Sequence, residues 1–188
     1  MDTTAAYLLA TATAMPPSVA WTDISAKTNA GGGTGPVSIT AVWTVPPFDA
    51  KAGTVYTIEV PFEATMEGNQ LTIGLSVNGA VAYTVAALIS GTVVGAGVGL
   101  NGVARAIVRM LSQGSAATFN AFITGSCGQN GGVAGTGAAV PLFGSSRALG
   151  IAFNSTVSNN LRFNASFAAV TTGQSATGYG SQFTRTGP

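Results

Sequence analysis

Apolar and polar residues alternate along most of this sequence, and turn-forming residues interrupt the alternation at short intervals. Residues 54–64 and 70–77 show the pattern most regularly, with every second side chain apolar. A period of two places successive side chains on opposite faces of a strand, whereas no window holds the apolar stripe of an amphipathic helix. The pattern predicts an all-β fold, a jelly-roll-like antiparallel β-sandwich of about ten strands.

Two glycine-containing segments carry the most specific local predictions. Asn78-Gly79 lies between alternating runs, and both residues tolerate the positive φ angles of a type I′ turn. We therefore expect residues 70–77 and 80–89 to pair as a tight hairpin. The stretch from Gly91 to Gly102 is so rich in glycine that we expect a loop there, with the next strand at residues 103–111.

The chain divides into an N-terminal arm, residues 1–17, and a single β-sandwich domain, residues 18–188. The arm ends at Pro16-Pro17 and shows no strand-pairing signal, yet it contains several large apolar side chains. Exposure of these side chains to water would be energetically unfavourable, so we expect them to contact a neighbouring subunit or a particle surface. The predicted contact residues are Tyr7, Leu8, Leu9 and Met15.

Only 7% of the residues are charged, which is low for a soluble domain. Subunit interfaces tolerate low charge, and lysine and glutamate are depleted in their cores. The composition therefore predicts a homo-oligomer.

The same composition excludes several functional classes. The chain has no histidine and a single cysteine, so we expect no metal site, no cofactor and no disulfide within the chain. A net charge of +1 gives no long-range field to attract nucleic acid. Residues 79–104 carry no charge, but their many glycines disfavour a membrane helix, and we expect no membrane partner.

Candidate catalytic motifs are weak. Residues 97–102 match the G-x-G-x-x-G dinucleotide fingerprint, but no acidic residue follows to bind a ribose. Glu59, Glu63 and Glu67 are interpreted as a solvated strand face, since Glu59 and Glu63 would lie ~13 Å apart along a strand. Cys127 has no histidine to activate it and is interpreted as a small buried residue. The sequence thus predicts no enzymatic activity and no catalytic residues.

The charges are distributed asymmetrically. All six acids lie within the first 67 residues, whereas the five arginines lie beyond residue 104. An acidic N-terminal region that meets a basic C-terminal face, within or between subunits, explains this asymmetry. A nucleic-acid patch is the less favoured explanation, because the arginines fall on separate predicted strands and form no sequence cluster.

Several segments together resemble β-sandwich structural proteins of tailed bacteriophages. The resemblance runs over residues 45–48, 52–64, 70–79, 160–168 and 182–185. It implies a jelly-roll module that assembles on a virion as a head decoration, a spike or a tail component. No functional residue transfers, because such modules act through their surfaces.

The function predicted from this combination is a non-enzymatic virion structural protein. It would be a homo-oligomeric capsid decoration or spike, with a trimer favoured, on the surface of a phage particle and in contact with virion proteins such as the major capsid protein. A phage tail or receptor-binding component is one alternative. A carbohydrate-binding or adhesin module is another, and it would need an aromatic platform drawn from Trp21, Trp43, Tyr56, Tyr83 and Tyr179.

Overall fold

The fold is an antiparallel β-sandwich, as the alternation predicts. A computed structural model describes residues 23–28, 37–38, 42–67, 70–78, 85–89, 96–130, 145–169 and 174–188. These residues form twelve strands and contain no helix. The predicted arm, residues 1–17 with Tyr7, Leu8, Leu9 and Met15, lies outside the described residues, so its role and the boundary at residue 18 stay predictions. Within the described part of the chain, no helix is long and apolar enough to cross a membrane.

Two sheets make up the sandwich. Sheet A has seven strands in the order β1-β11-β4-β7-β8-β9, with β12 also paired to β4. Its strands are β1 (Asp23–Thr28), β4 (Val55–Glu67), β7 (Ala96–Met110), β8 (Ala117–Asn130), β9 (Ser146–Phe153), β11 (Ser175–Tyr179) and β12 (Gln182–Thr186). Sheet B has five strands in the order β2-β10-β5-β6, with β3 also paired to β10. Its strands are β2 (Val37–Ser38), β3 (Trp43–Val45), β5 (Leu71–Val77), β6 (Val85–Ile89) and β10 (Asn159–Phe167).

The core lies between the two sheets and follows the period of two. Along β4 the side chains from Tyr56 to Ala64 are buried at every even position. Sheet B contributes Leu71, Ile73 and Leu75 from β5, all fully buried. Burial of such side chains contributes about 1.5–3 kcal/mol each, so this alternation is the main source of stability.

Pro61 lies inside β4, a central strand, where a residue without an N–H normally disrupts the ladder. On one side of β4, two different strands form the ladder, and the change from one to the other occurs at this point. Strand β11 pairs with β4 between Phe62 and Thr65, and β12 pairs with β4 between Val55 and Glu59. Pro61 falls between these segments, at the break in the ladder, which is where a central strand tolerates proline.

The predicted hairpin forms, but its turn is not the tight one that Asn78-Gly79 indicated. A two-residue turn at 78–79 would pair Leu75 with Ala82, whereas Leu75 pairs with Val85. Asn78 does have a positive φ of 54°. Its side chain is engaged elsewhere, because Asn78 Nδ2 donates to Asn159 Oδ1 and Asn78 Oδ1 accepts from the backbone N–H of Asn160. Asn78 thus fixes the start of β10.

Residues 96–102, expected to be a loop, form the first half of the long strand β7. One of their glycines, Gly102, permits close packing. A Cβ atom on Gly102 would lie 2.6 Å from the Ser126 carbonyl oxygen and 2.7 Å from Phe62 Cζ. The G-x-G-x-x-G match lies within this strand and no helix follows it, so the phosphate-binding geometry of the fingerprint is absent from this part of the chain.

Aromatic rings connect the two sheets near one end of the sandwich. The Phe183 ring stacks between Trp43, at a centroid distance of 5.1 Å, and Tyr56, at 5.6 Å. Next to them, Arg185 is buried and its Nε donates to Asp49 Oδ2 at 2.9 Å. This pair joins an acid of the N-terminal half to an arginine of the C-terminal half within one chain, as one of the predicted arrangements requires.

Candidate functional site

Sheet A has one face towards sheet B and another, the outer face, that points away from it. The register places the odd residues 55–65 of β4 opposite odd residues of β7, and these lie opposite even residues of β8. The outward side chains at the odd positions 55–65 and 99–109 and at the even positions 120–128 are exposed or half-buried. The outer face is therefore the broad accessible surface that the described strands build.

Three arginines lie on the outer face around one phenylalanine. Phe122 of β8 is 41% exposed and lies directly between Ile107 of β7 and Arg147 of β9. Arg105 and Arg109 flank Ile107 on β7, ~13 Å apart along the strand. We call Arg105, Arg109, Arg147 and Phe122 the arginine cluster.

The guanidinium groups of this cluster have no carboxylate partner at ion-pair distance within the described part of the chain. Glu59 occupies the position directly opposite Arg105 on β4, but the two side chains form no ion pair there. A guanidinium presents a planar fork of donors that matches a carboxylate bidentately. The cluster is therefore equipped to bind an external anion.

The position of Arg147 depends on a bulge between β8 and β9. The register shifts between Phe119 and Ala121, so Asn120 has no regular partner on β9. Its Oδ1 instead accepts a hydrogen bond from the backbone N–H of Gly150 at 2.9 Å, and Gly150 has a φ of 61°. This contact fixes β9 against β8 and places Arg147 opposite Phe122.

A small depression lies further along the outer face. It has a volume of about 170 Å³ and is lined by Glu63, Asn101 and the hydroxyl residues Thr65, Ser175 and Thr177, among others. Asn101 lies directly opposite Glu63 on the neighbouring strand. The Tyr179 hydroxyl donates to Glu63 Oε2 at 2.7 Å. A carboxylate, a phenol and an amide thus lie together on an accessible surface, which we call the Glu63 pocket.

A second cavity, of about 370 Å³, lies among the loops at the end of the sandwich. Its walls include Phe48, Lys51, Gln113, Ser155 and Thr156. The residues come from the turn before β4, the β7–β8 loop and the loop after β9. We call this cavity the loop pocket.

The aromatic residues of the predicted platform and Cys127 lie in different environments. Trp43 and Tyr56 are buried in the core, and burial raises the pKa of the Tyr56 hydroxyl far above its ordinary value. Trp21 and Tyr83 lie outside the described residues, so the predicted aromatic platform reduces to Tyr179. Cys127 is buried as predicted, and this burial raises the pKa of its thiol.

The acidic residues and the arginines contribute more to the candidate site than the aromatic residues and Cys127 do. Glu59 and Glu63 lie on the outward side of β4, as the strand interpretation predicts. Within the described residues, no group of three histidine, cysteine or carboxylate side chains could hold a metal ion. Three of the five arginines do form a cluster, contrary to the sequence-based expectation, because the register brings β9 beside β8. The arginine cluster, Phe122 and the Glu63–Tyr179 contact were not identified from the sequence.

Comparisons with known proteins give two weak structural similarities. No family model matches the chain, and no curated protein matches it. An alginate lyase from Alteromonas sp. 272 matches with a TM-score of 0.32 and 10% identity, covering 78% of this chain and 79% of the enzyme. A polysaccharide lyase of family 18 matches with a TM-score of 0.30 and 10% identity, covering 83% of each chain.

These neighbours correct two predictions. Both neighbours are named as lyases rather than as phage structural proteins, and this finding contradicts the prediction of a non-enzymatic virion structural protein and the prediction that the chain is not an enzyme. The resemblance to phage β-sandwich proteins, the homo-oligomer and the location on a particle stay predictions.

Proposed function

We propose that the protein binds an acidic polysaccharide along the outer face of sheet A. The observation that carries the proposal is the arginine cluster, with three exposed guanidinium groups around the exposed ring of Phe122. Arginine forks suit the carboxylates of uronate residues, and a phenyl ring offers an apolar surface for the C–H face of a sugar. An extended chain of acidic sugars presents both features repeatedly.

The other charges on this face favour a polyanion of moderate charge density. Glu59 and Glu63 lie on the same surface as the arginines and would repel the closely spaced phosphates of a nucleic acid. The net charge of +1 supplies no general attraction for such a polymer. The face is therefore better matched to a carboxylated polysaccharide, whose sugar rings separate the charges.

The binding proposal predicts opposite effects from opposite charge changes. Replacing Arg105, Arg109 and Arg147 together by glutamine should weaken binding to alginate or polygalacturonate at least about tenfold, because charge-assisted hydrogen bonds are lost. Glu59→Gln removes a repulsive charge beside Arg105 and should strengthen binding. Isothermal titration calorimetry on folded variants measures both effects.

The matched control is Arg162→Gln, which removes the same charge from β10 in sheet B and should leave the affinity unchanged. Neutral dextran should not bind. Equal affinity of the wild type and the triple variant for the polyuronates would overturn the proposal. Tighter binding to single-stranded RNA than to either polyuronate would overturn it as well.

A second candidate function is cleavage of the bound polymer by β-elimination, and the Glu63 pocket is the observation that favours it. Glu63 would take the proton from the carbon next to the uronate carboxylate, and Asn101 would donate a hydrogen bond to that carboxylate. As the double bond forms and the bond to the glycosidic oxygen breaks, the Tyr179 hydroxyl would protonate the leaving oxygen. The proton on Glu63 would then pass to Tyr179 across their 2.7 Å contact, which restores both groups.

This candidate predicts that Glu63→Gln and Tyr179→Phe lower the rate of product formation by about 10²-fold or more, as expected when a general acid or base is removed. Both variants should still bind the polymer. Glu59→Gln is the matched control, since it changes the same residue type on the same face of β4 and should retain cleavage. The ultraviolet absorbance of the unsaturated product follows the reaction. A wild-type protein that binds polyuronate without forming this product would overturn the lyase candidate and leave the binding proposal intact.

A further inference from the structure

Phe48 has a backbone conformation that phenylalanine rarely adopts. Its φ is 63°, in the left-handed region that a Cβ atom makes unfavourable. Its side chain is 68% exposed, so the ring gains little burial in return. Strain at an exposed aromatic residue, with no compensating packing, points to a role other than stability.

The surrounding contacts impose this conformation. The Phe48 N–H donates to the Ser155 carbonyl at 2.7 Å, and the next N–H, from Asp49, donates to the Pro46 carbonyl at 3.3 Å. The Asp49 carboxylate is fixed in turn by Arg185. The turn is therefore held at both ends, and the ring of Phe48 is presented at the wall of the loop pocket.

The opposite wall of the loop pocket is also fixed. The Ser155 hydroxyl oxygen accepts from the Gly114 N–H at 2.7 Å, and the Ser155 N–H donates to the Gly114 carbonyl at 3.0 Å. The Thr156 hydroxyl donates to Asn154 Oδ1 at 2.7 Å. Gln113 and Lys51, both exposed, complete the polar part of the lining. The pocket is thus preformed and combines one aromatic ring with hydroxyl, amide and ammonium groups.

We propose that the loop pocket binds a single acidic sugar unit, with its ring against Phe48. The sugar hydroxyls would form hydrogen bonds with the Gln113 amide and with the Thr156 hydroxyl oxygen as acceptor. The sugar carboxylate would pair with the Lys51 ammonium. A cavity of about 370 Å³ lies at the small end of the range for ligand pockets, which suits one sugar unit better than a polymer segment. The proposal rests on the proposed function for its ligand class only, since the pocket is separate from the arginine cluster.

Phe48→Asn tests this directly, because asparagine tolerates a left-handed φ and removes the ring. The variant should melt at the same or a higher temperature than the wild type and should bind glucuronate or galacturonate at least tenfold more weakly. Chemical-shift titration of the ¹⁵N-labelled protein with each monosaccharide measures the affinity, and the shifts should centre on Lys51, Gln113 and Thr156. Val42→Asn is the control, since it removes an exposed apolar side chain outside both proposed sites and should leave these shifts and the affinity unchanged.

Gln113→Ala provides a second variant that does not touch the strained turn, and it should also weaken binding. A wild-type protein without shifts at the loop pocket, or a Phe48→Asn protein with unchanged affinity, would overturn the proposal. The triple arginine variant separates this inference from the proposed function. Loss of polymer binding with retained monosaccharide binding supports the loop pocket, whereas a protein that binds polymer but no monosaccharide refutes it.

Discussion

Gly102→Ala should destabilise the protein by about 3 kcal/mol or more, an overpacking penalty at the upper end of the usual range. The added methyl group would lie 2.6 Å from the Ser126 carbonyl oxygen, 2.7 Å from Phe62 Cζ and 2.8 Å from Cys127 Cβ. A side chain can move away from such a contact, but the Ser126 carbonyl belongs to the backbone of the adjacent strand. Urea denaturation followed by tryptophan fluorescence measures the change in the free energy of unfolding.

Gly128→Ala is the matched control for this substitution. Gly128 also lies in the β7–β8 ladder, and a Cβ atom there would have no neighbour within 4 Å. We expect this variant to be as stable as the wild type, within about 0.5 kcal/mol. Phe62→Leu combined with Gly102→Ala should recover part of the loss, since it relieves the side-chain contact and leaves the backbone contact. Equal stability of Gly102→Ala and the wild type would show that the two strands can separate freely at this point.

Arg185→Met should destabilise the protein by about 3–5 kcal/mol, the usual effect of removing one partner of a buried ion pair. The guanidinium donates to the Asp49 carboxylate and carbonyl and to the carbonyls of Gly187 and Pro188. Methionine fills similar space but leaves these oxygens without their donor. The Tyr56 hydroxyl, which donates to Asp49 Oδ2 at 2.9 Å, would still donate to that carboxylate. Thermal unfolding monitored by circular dichroism gives the comparison.

Arg185→Lys and Asp49→Asn separate charge from geometry at this site. Lysine retains the charge but cannot reproduce the fork of donors, so we expect an intermediate loss. Asparagine retains an acceptor for Tyr56 and Arg185, so a smaller loss of about 1–2 kcal/mol is expected. A lysine variant as stable as the wild type would indicate that the positive charge alone matters here.

The period of two was sufficient to predict the class of fold and most strand positions. Residues 54–64, for example, alternate so regularly that β4 was recognised with its buried and exposed faces. Prediction was wrong where long-range contacts override local signals. Asn78 has turn chemistry, but its amide binds the start of β10. The glycines of residues 96–102 indicated a loop, yet these residues belong to β7, where Gly102 allows close packing against neighbouring strands.

The candidate sites depended more strongly on tertiary structure. The alternation does place Arg105 and Arg109 on one face of β7, but Arg147 joins them only through the β8–β9 register and its bulge. The Glu63–Tyr179 contact spans 116 residues of sequence. Phe48 could not be singled out, because its significance lies in a backbone angle that the Pro46-Pro47 turn and Ser155 impose together.

The pairing of one side of β4 with two separate strands affects the order in which the strands can come together during folding. Among the strands that the structure describes, β11 and β12 pair with one side of β4, and they lie more than a hundred residues later in the chain. Closing so large a loop carries an entropic penalty before any contact compensates for it, and sheets of this kind fold slowly. During synthesis one edge of β4 would stay unpaired, beside β7, until β11 and β12 leave the ribosome. The connectivity of this sandwich therefore predicts slow folding, during which one edge of the central strand β4 stays unpaired.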